Sequence, residues 1–298
     1  MSGGFGAFAI FEDGFLGILP HVEGYNEWML PPPGSYRQIA AGETLSCGVR
    51  ASGEVSCWGV SPTEVSDLRL PSGPFQQIST TDFHGCGIRP DGSLDCWGYE
   101  NSALSPPTVG RYSHVAVGQT FACALDAVGA VRCWGRLVPE GAPTSGRFIA
   151  LDVQGFDRPW VACAIADTGR LACWGDDTDG QATPLLTPPE GQFVDVSLGA
   201  NFGCAIRRDG SLQCWGAEHG ATQLSDPLPG RFTAISSGVG HYCGVRDDGA
   251  VRCRLLYEGL GTGEDDPPYG SFLEVTSGDY FGCGLRTLGW VSCWGRSQ

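Results

Sequence analysis

Cys204-Ala-Ile-Arg-Arg-Asp-Gly-Ser-Leu-Gln-Cys-Trp-Gly216 is the stretch on which the reading of this chain turns. A cysteine, a glycine six residues later and a second cysteine four residues after that recur seven times, and together they use all fourteen cysteines. The pairs are Cys47-Cys57, Cys86-Cys96, Cys123-Cys133, Cys163-Cys173, Cys204-Cys214, Cys243-Cys253 and Cys283-Cys293.

This spacing suits a hairpin with a three-residue loop, in which glycine takes the left-handed position of a bulged turn. With Asp209 as pivot, Ile206 faces Leu212 and Cys204 faces Cys214, and period-2 alternation places both pairs on one face of the hairpin. The other six copies carry aliphatic residues at the same two positions, from Val49 with Val55 to Leu285 with Val291. The cysteines fall at a non-hydrogen-bonded position, where Cα atoms approach closely enough for a bridge, so seven local disulfides are expected. A zinc site is disfavoured, because no Cys-x-x-Cys occurs and no histidine accompanies the pairs at a fixed spacing. Closing a loop of this size stabilises by about 2.5–3 kcal/mol as an upper figure, since the turn already favours closure.

The 298 residues could hold two ordinary domains, but a repeat period near 39 argues for one array. Forty-six glycines and twenty prolines make it turn-rich, while 42% hydrophobic residues are enough for a core. A formal net charge of −15 disfavours nucleic acid and anionic membranes as partners. No apolar run reaches membrane-spanning length, so no membrane insertion is expected. All 18 cationic residues are arginine. Fourteen paired cysteines point to an oxidising compartment and an extracellular or cell-surface location. The opening Met-Ser-Gly-Gly-Phe-Gly-Ala carries no signal-peptide pattern, and the cysteines outweigh it.

Along the chain, Phe8 to Ile18 reads as a degenerate eighth hairpin, with an apolar pair standing where the bridge would be. Residues 1–34 divide off as this hairpin and a proline-rich connector, and residues 35–298 as the repeat array. Each repeat opens with an aromatic residue (Tyr36, Phe75, Tyr112, Phe148, Phe193, Phe232, Phe272), and a short strand there makes three strands per repeat. Proline-rich connectors separate the units. A tryptophan-glycine pair follows the second cysteine in six repeats, and the sixth carries Arg254-Leu255 instead. Such a tryptophan reads as packing between neighbouring units.

The aromatic-led strand, Cys-(Ala/Gly)-aliphatic, turn glycine and aliphatic-x-Cys-Trp-Gly together resemble the regulator of chromosome condensation repeat. The likeness is to its short, three-stranded bacterial form, of the kind in a secreted β-lactamase inhibitor protein, and covers roughly residues 35–298. It implies an all-β propeller of seven disulfide-stapled repeats, or eight blades if the N-terminal hairpin counts. The longer family ending Trp-Gly-x-Asn-x-x-Gly-Gln is approached only at Trp174–Gln181, with aspartate for asparagine. The chromatin-bound nucleotide-exchange activity of the eukaryotic member does not transfer to an acidic, disulfide-rich chain.

No nucleophile elbow, His-Glu-x-x-His or phosphate loop occurs, so neither an enzyme nor a cofactor is expected. His84 and His241 stand where other repeats carry phenylalanine. Asp176, Asp177 and Asp179 are candidate calcium ligands or a solvated loop. The fourth repeat has an enlarged loop with Phe156, Asp157, Arg158 and Trp160, interface-type residues on an insertion or simply gap-filling. Phe5, Phe8, Phe11 and Phe15 make the N-terminal hairpin apolar enough to complete a blade of another copy. The expected function is non-catalytic protein binding across one propeller face, the partner being another protein or copies of itself; the alternative is a structural, self-assembling subunit.

Overall fold

The computed structural model describes residues 8–10, 16–18, 30–59, 62–98, 104–154, 160–177, 182–217, 224–256 and 267–295. Seven three-stranded antiparallel sheets follow one another along the chain. The fifth is typical: Phe193–Leu198 pairs with Phe202–Arg207, which pairs with Leu212–Gly216. The first strands of the seven are Tyr36–Ala41, Gln77–Thr80, Tyr112–Val117, Phe148–Val153, Phe193–Leu198, Phe232–Ser237 and Phe272–Ser277. Residues from all seven line one central cavity of about 170 Å³, so these are the inner strands of seven blades around an axis. Two short helices, Pro62–Asp67 and Thr183–Leu186, lie in connectors.

The hairpin register is the one the spacing dictates. Cys204 faces Cys214 and Ile206 faces Leu212, and all seven bridges close with Cα atoms 4.0–4.1 Å apart. Gly210 takes φ +88°. Its absent side chain has a second use, because a Cβ there would lie 3.1 Å from Arg231 of the next blade.

The bridges are packing surfaces as well as staples. Trp215 of blade 5 sits in one cluster with Cys163 and Ile165 of blade 4, and Trp174 of blade 4 sits with Cys123 and Leu125 of blade 3. Each tryptophan therefore covers the disulfide face of the preceding blade. Trp58 of blade 1 does the same to Cys283, Leu285 and Val291 of blade 7, which closes the circle. Blade 6 has no tryptophan, and there Tyr242 and Leu256 cover Cys204 and Cys214. The departure at Arg254 is thus filled from the same blade.

The N-terminal hairpin pairs Phe8 with Ile18 and Ile10 with Leu16, but forms a two-stranded sheet of its own. The uneven count of eight hairpins and seven aromatic-led strands resolves as a ring of seven blades, with this hairpin outside it.

Candidate functional site

Antiparallel strands fix what each end of the propeller displays. The inner strands start at the end where the hairpin turns lie, and every blade is docked to its predecessor there. The amide of Phe232 donates to the Gly210 carbonyl at 2.8 Å, and the equivalent bond recurs at the other junctions. In six blades the pairing skips one residue just after the opening aromatic. A bulge of this kind re-aims the extra residue. The residues in that position are Arg37, Ser113, Ile149, Val194, Thr233 and Leu273, with Gln76 at the matching place in blade 2, and all are exposed.

They ring one mouth of the channel unevenly: blades 4, 5 and 7 present Ile149, Val194 and Leu273, whereas blades 1 to 3 present Arg37, Gln76 and Ser113. Val128 and Leu288 at turn tips and Val109 and Tyr269 at connector ends add apolar surface to the same face. Seven of the nine large hydrophobic side chains exposed among the described residues therefore share the turn face. Phe83, at the other mouth, and Val138, in a connector, are the remaining two.

The same face is built on arginine. The third residue after the first cysteine is Arg50, Arg89, Arg207, Arg246 or Arg286 in five repeats. Four of these guanidinium groups lie over the opening aromatic of their own blade, Arg89 at 4.5 Å from the Phe75 ring centre and Arg207 at 5.1 Å from that of Phe193. Each of the four also bonds a connector carbonyl seventeen residues earlier, those of Pro33, Ser72, Glu190 and Tyr269. Stacking while bonding in plane suits a guanidinium and not an ammonium. These arginines are clamps.

Inside the channel, side chains of each inner strand join it to the next blade. Gln38 donates to the Ile78 carbonyl at 2.8 Å and accepts from the Ile78 amide at 2.7 Å, and Gln77 does the same with Val115. His114 donates to the Leu151 carbonyl at 2.9 Å. The next junctions use Asp152, which accepts from the Leu198 amide at 2.8 Å, then the hydroxyls of Ser197 and Ser236, and finally Glu274, which accepts from the Ile39 amide at 3.1 Å. Burial pushes the carboxyls of Asp152 and Glu274 up to about 7 and that of Asp195 up to about 6, and the Asp195 charge adds to the rise at both neighbours. Burial likewise lowers His84 and His114.

Of the sequence candidates, Phe156, Asp157 and Arg158 lie outside the described residues, as do Phe5, Phe11, Phe15 and Asp179. Phe8 is described only through its backbone pairing. Trp160 is half-buried and packs against the cluster between blades 3 and 4. Asp177 accepts from the amides of Ala182 at 2.8 Å and Thr183 at 3.0 Å, at the start of the short helix Thr183–Leu186. Its carboxylate is engaged in holding that helix. His84 is fully buried and bonded through Nε2 to the Gly118 carbonyl of the next blade. The bulge residues each follow an opening aromatic in the sequence, but their outward aim comes from the pairing register, which the repeat spacing does not show.

A family model described as the regulator of chromosome condensation (RCC1) repeat matches residues 193–219, which hold the stretch Cys204–Gly216. The human E3 ubiquitin-protein ligase HERC2 is 27% identical over 141 residues, 39% of this chain and 3% of that protein. The chain thus spans only a small part of the curated relatives it matches. The ectodomain of the Physcomitrella patens receptor kinase CR4 superposes with a TM-score of 0.69 at 25% identity, covering 88% of this chain and 74% of that one. Saccharomyces cerevisiae Prp20p, studied for its binding to Gsp1p and histones, superposes at 0.60 and 15% identity, covering 87% and 82%.

Proposed function

We propose that this chain, a seven-bladed β-propeller of regulator of chromosome condensation repeats, is a non-catalytic extracellular scaffold that binds a protein through its turn face. The observation that carries the reading is the gathering of seven of nine exposed large hydrophobic side chains on that face, three of them aimed outward by bulges. An exposed apolar set rimmed by arginine and aspartate is the anatomy of a docking surface. Seven bridges support a life in an oxidising compartment, and the likeness to a receptor ectodomain agrees with it. Prp20p, on the same fold, binds proteins, which makes a propeller face a reasonable platform.

The test places a photo-crosslinking residue at 194 on the turn face and, separately, at 83 on the opposite mouth, and exposes both proteins to the extracellular fraction of the producing cells. The reading expects one adduct from position 194, lost in the Ile149→Asp, Leu273→Asp variant while its melting temperature is kept. Adducts from position 83 alone would place binding on the other face. Adducts made only of this chain would favour the self-assembling subunit, a reading supported by the N-terminal hairpin forming a sheet outside every blade.

A further inference from the structure

Six of the seven blade junctions are crossed by the polypeptide, and one is not. Blade 7 ends its last strand at Gly295 and blade 1 begins at Tyr36, so their junction holds by non-covalent contacts alone. It is also where carboxylates gather. Glu274 of blade 7 accepts from the Ile39 amide of blade 1 at 3.1 Å. Five residues further on, the Asp279 amide donates to the Glu43 carbonyl at 3.2 Å. The Asp279 side chain then faces the carboxylates of Glu43 and of Asp82, and its Oδ1 is buried without a hydrogen-bond partner among the described residues.

Among the described residues, the neighbouring acids are bonded elsewhere and supply no positive charge to it. Asp82 is occupied by the Thr44 amide and hydroxyl and by the Leu45 amide, all at 2.9 Å. Glu43 accepts from the Gln119 amide group. Glu274 faces Asp195, another acid. Arg37, the cation of blade 1 next to this junction, is turned the other way and bonds the Phe75 carbonyl of blade 2. By contrast, the inner-strand bonds that join blade 1 to 2 and blade 2 to 3 are made by Gln38 and Gln77, whose amides do not titrate.

We propose that the junction between blades 7 and 1 is a proton-operated latch, tight while Glu274 and Asp279 hold protons and loosened once they ionise beside Asp195, Glu43 and Asp82. A protonated carboxyl still accepts the Ile39 amide through its carbonyl oxygen, and a protonated Asp279 removes one charge from a group of three. Burial, and for Asp279 the two neighbouring acids, push both carboxyls up to about 7. The sign follows from proton counting. Between about pH 4, where free carboxyls lose their protons, and about 7, the folded junction binds more protons than the open one, so closing weakens as pH rises through this window. Above it the latch stays at its weakest, and below it gains nothing further.

Hydrogen exchange by NMR on the full chain tests this, following the Ile39 amide at the latch and the Ile78 and Val115 amides at the glutamine junctions from pH 5 to 8.5, each corrected for its intrinsic rate. The latch requires protection of Ile39 to fall about tenfold or more relative to Ile78 across that range, since each differentially bound proton changes the closing constant by about one decade per pH unit. The Glu274→Gln, Asp279→Asn variant should flatten the difference, whereas Asp152→Asn, at another junction, should leave it. Equal pH dependence at Ile39 and Ile78 in the unsubstituted protein, or a difference that survives the double variant, overturns the proposal. The first comparison needs no variant to fold.

Discussion

The Tyr36 amide donates to the Gly289 carbonyl at 2.6 Å, across the one junction that the chain does not cross. The same bond joins Phe75 to Gly53, Tyr112 to Gly92, Phe148 to Gly129, Phe193 to Gly169, Phe232 to Gly210 and Phe272 to Gly249. With Trp58 seated on the Cys283 bridge, the seventh junction repeats the docking of the other six. Ring closure is therefore complete within residues 36–295. Removal of residues 1–29 should leave the melting temperature within about 3 °C of the intact chain, less than 1–2 kcal/mol for a fold of this size. Calorimetry on the truncated protein checks it, and a larger fall would make the hairpin part of the folded unit.

The turn glycine answers to two constraints at once. Gly210 sits at φ +88°, and a Cβ there would lie 3.1 Å from the Arg231 side chain of the following blade. Alanine meets both the left-handed backbone cost and the crowding, so Gly210→Ala should destabilise by roughly 1–2 kcal/mol. Ser211→Ala, one residue on at a position that bonds Asp209 on the surface, should cost less. Denaturant melts of the two variants, compared at equal slope, separate the effects.

The clamps make a sharper comparison, because two arginines stand side by side. Arg207 lies over Phe193 and bonds the Glu190 carbonyl and the Gln213 side chain, while Arg208 is exposed at the turn. Arg207→Lys should cost roughly 1–2 kcal/mol, since an ammonium cannot stack and fork together. Arg208→Lys should lie within about 0.5 kcal/mol of the parent, as surface substitutions generally do. Equal costs would mean the clamp is a contact without consequence.

What was legible beforehand was what local spacing carries. Cys204 and Cys214, Gly210 between them and the aliphatic pair Ile206 and Leu212 need only a hairpin's geometry, and all stand in the expected register. Trp215 was legible as an inter-blade residue because a large apolar side chain at one repeat position needs a neighbour. The bulge at Val194 and the bond from Glu274 to Ile39 were not legible, since the first depends on pairing register and the second on ring closure across 235 residues. Arg207 was legible in principle. Arginine at that place in five repeats, in a chain whose cations are all arginine, is a pattern that only the stacked geometry explains.

The bridges should be hard to reach and costly to lose. Cys204 is fully buried and Cys214 nearly so, under Tyr242 and Leu256. Native protein in millimolar reductant should keep this bridge, and mild denaturant should open it together with the blade, as thiol labelling and mass spectrometry would read. The Cys204→Ala, Cys214→Ala pair should destabilise by about 2–3 kcal/mol. Rapid reduction without denaturant would mean that blades 5 and 6 separate readily.

Asp152 carries a pH prediction for the whole ring. It is half-buried, its Oδ2 accepts the Leu198 amide of the next blade, and burial with the Asp195 charge raises its carboxyl to about 7. A raised carboxyl means that the folded chain binds the proton more tightly than the unfolded one. Its contribution is greatest in acid and is lost as pH climbs from about 4 through about 7. The melting temperature of the unsubstituted protein should therefore fall between pH 5.5 and pH 8. Asp152→Asn keeps an oxygen to accept the Leu198 amide and never ionises, so its melting temperature should change less over the same interval and exceed the parent's at pH 8. A parent curve flat over that range, or a variant curve falling as steeply, would show that Asp152 is already ionised in the folded channel and compensated there.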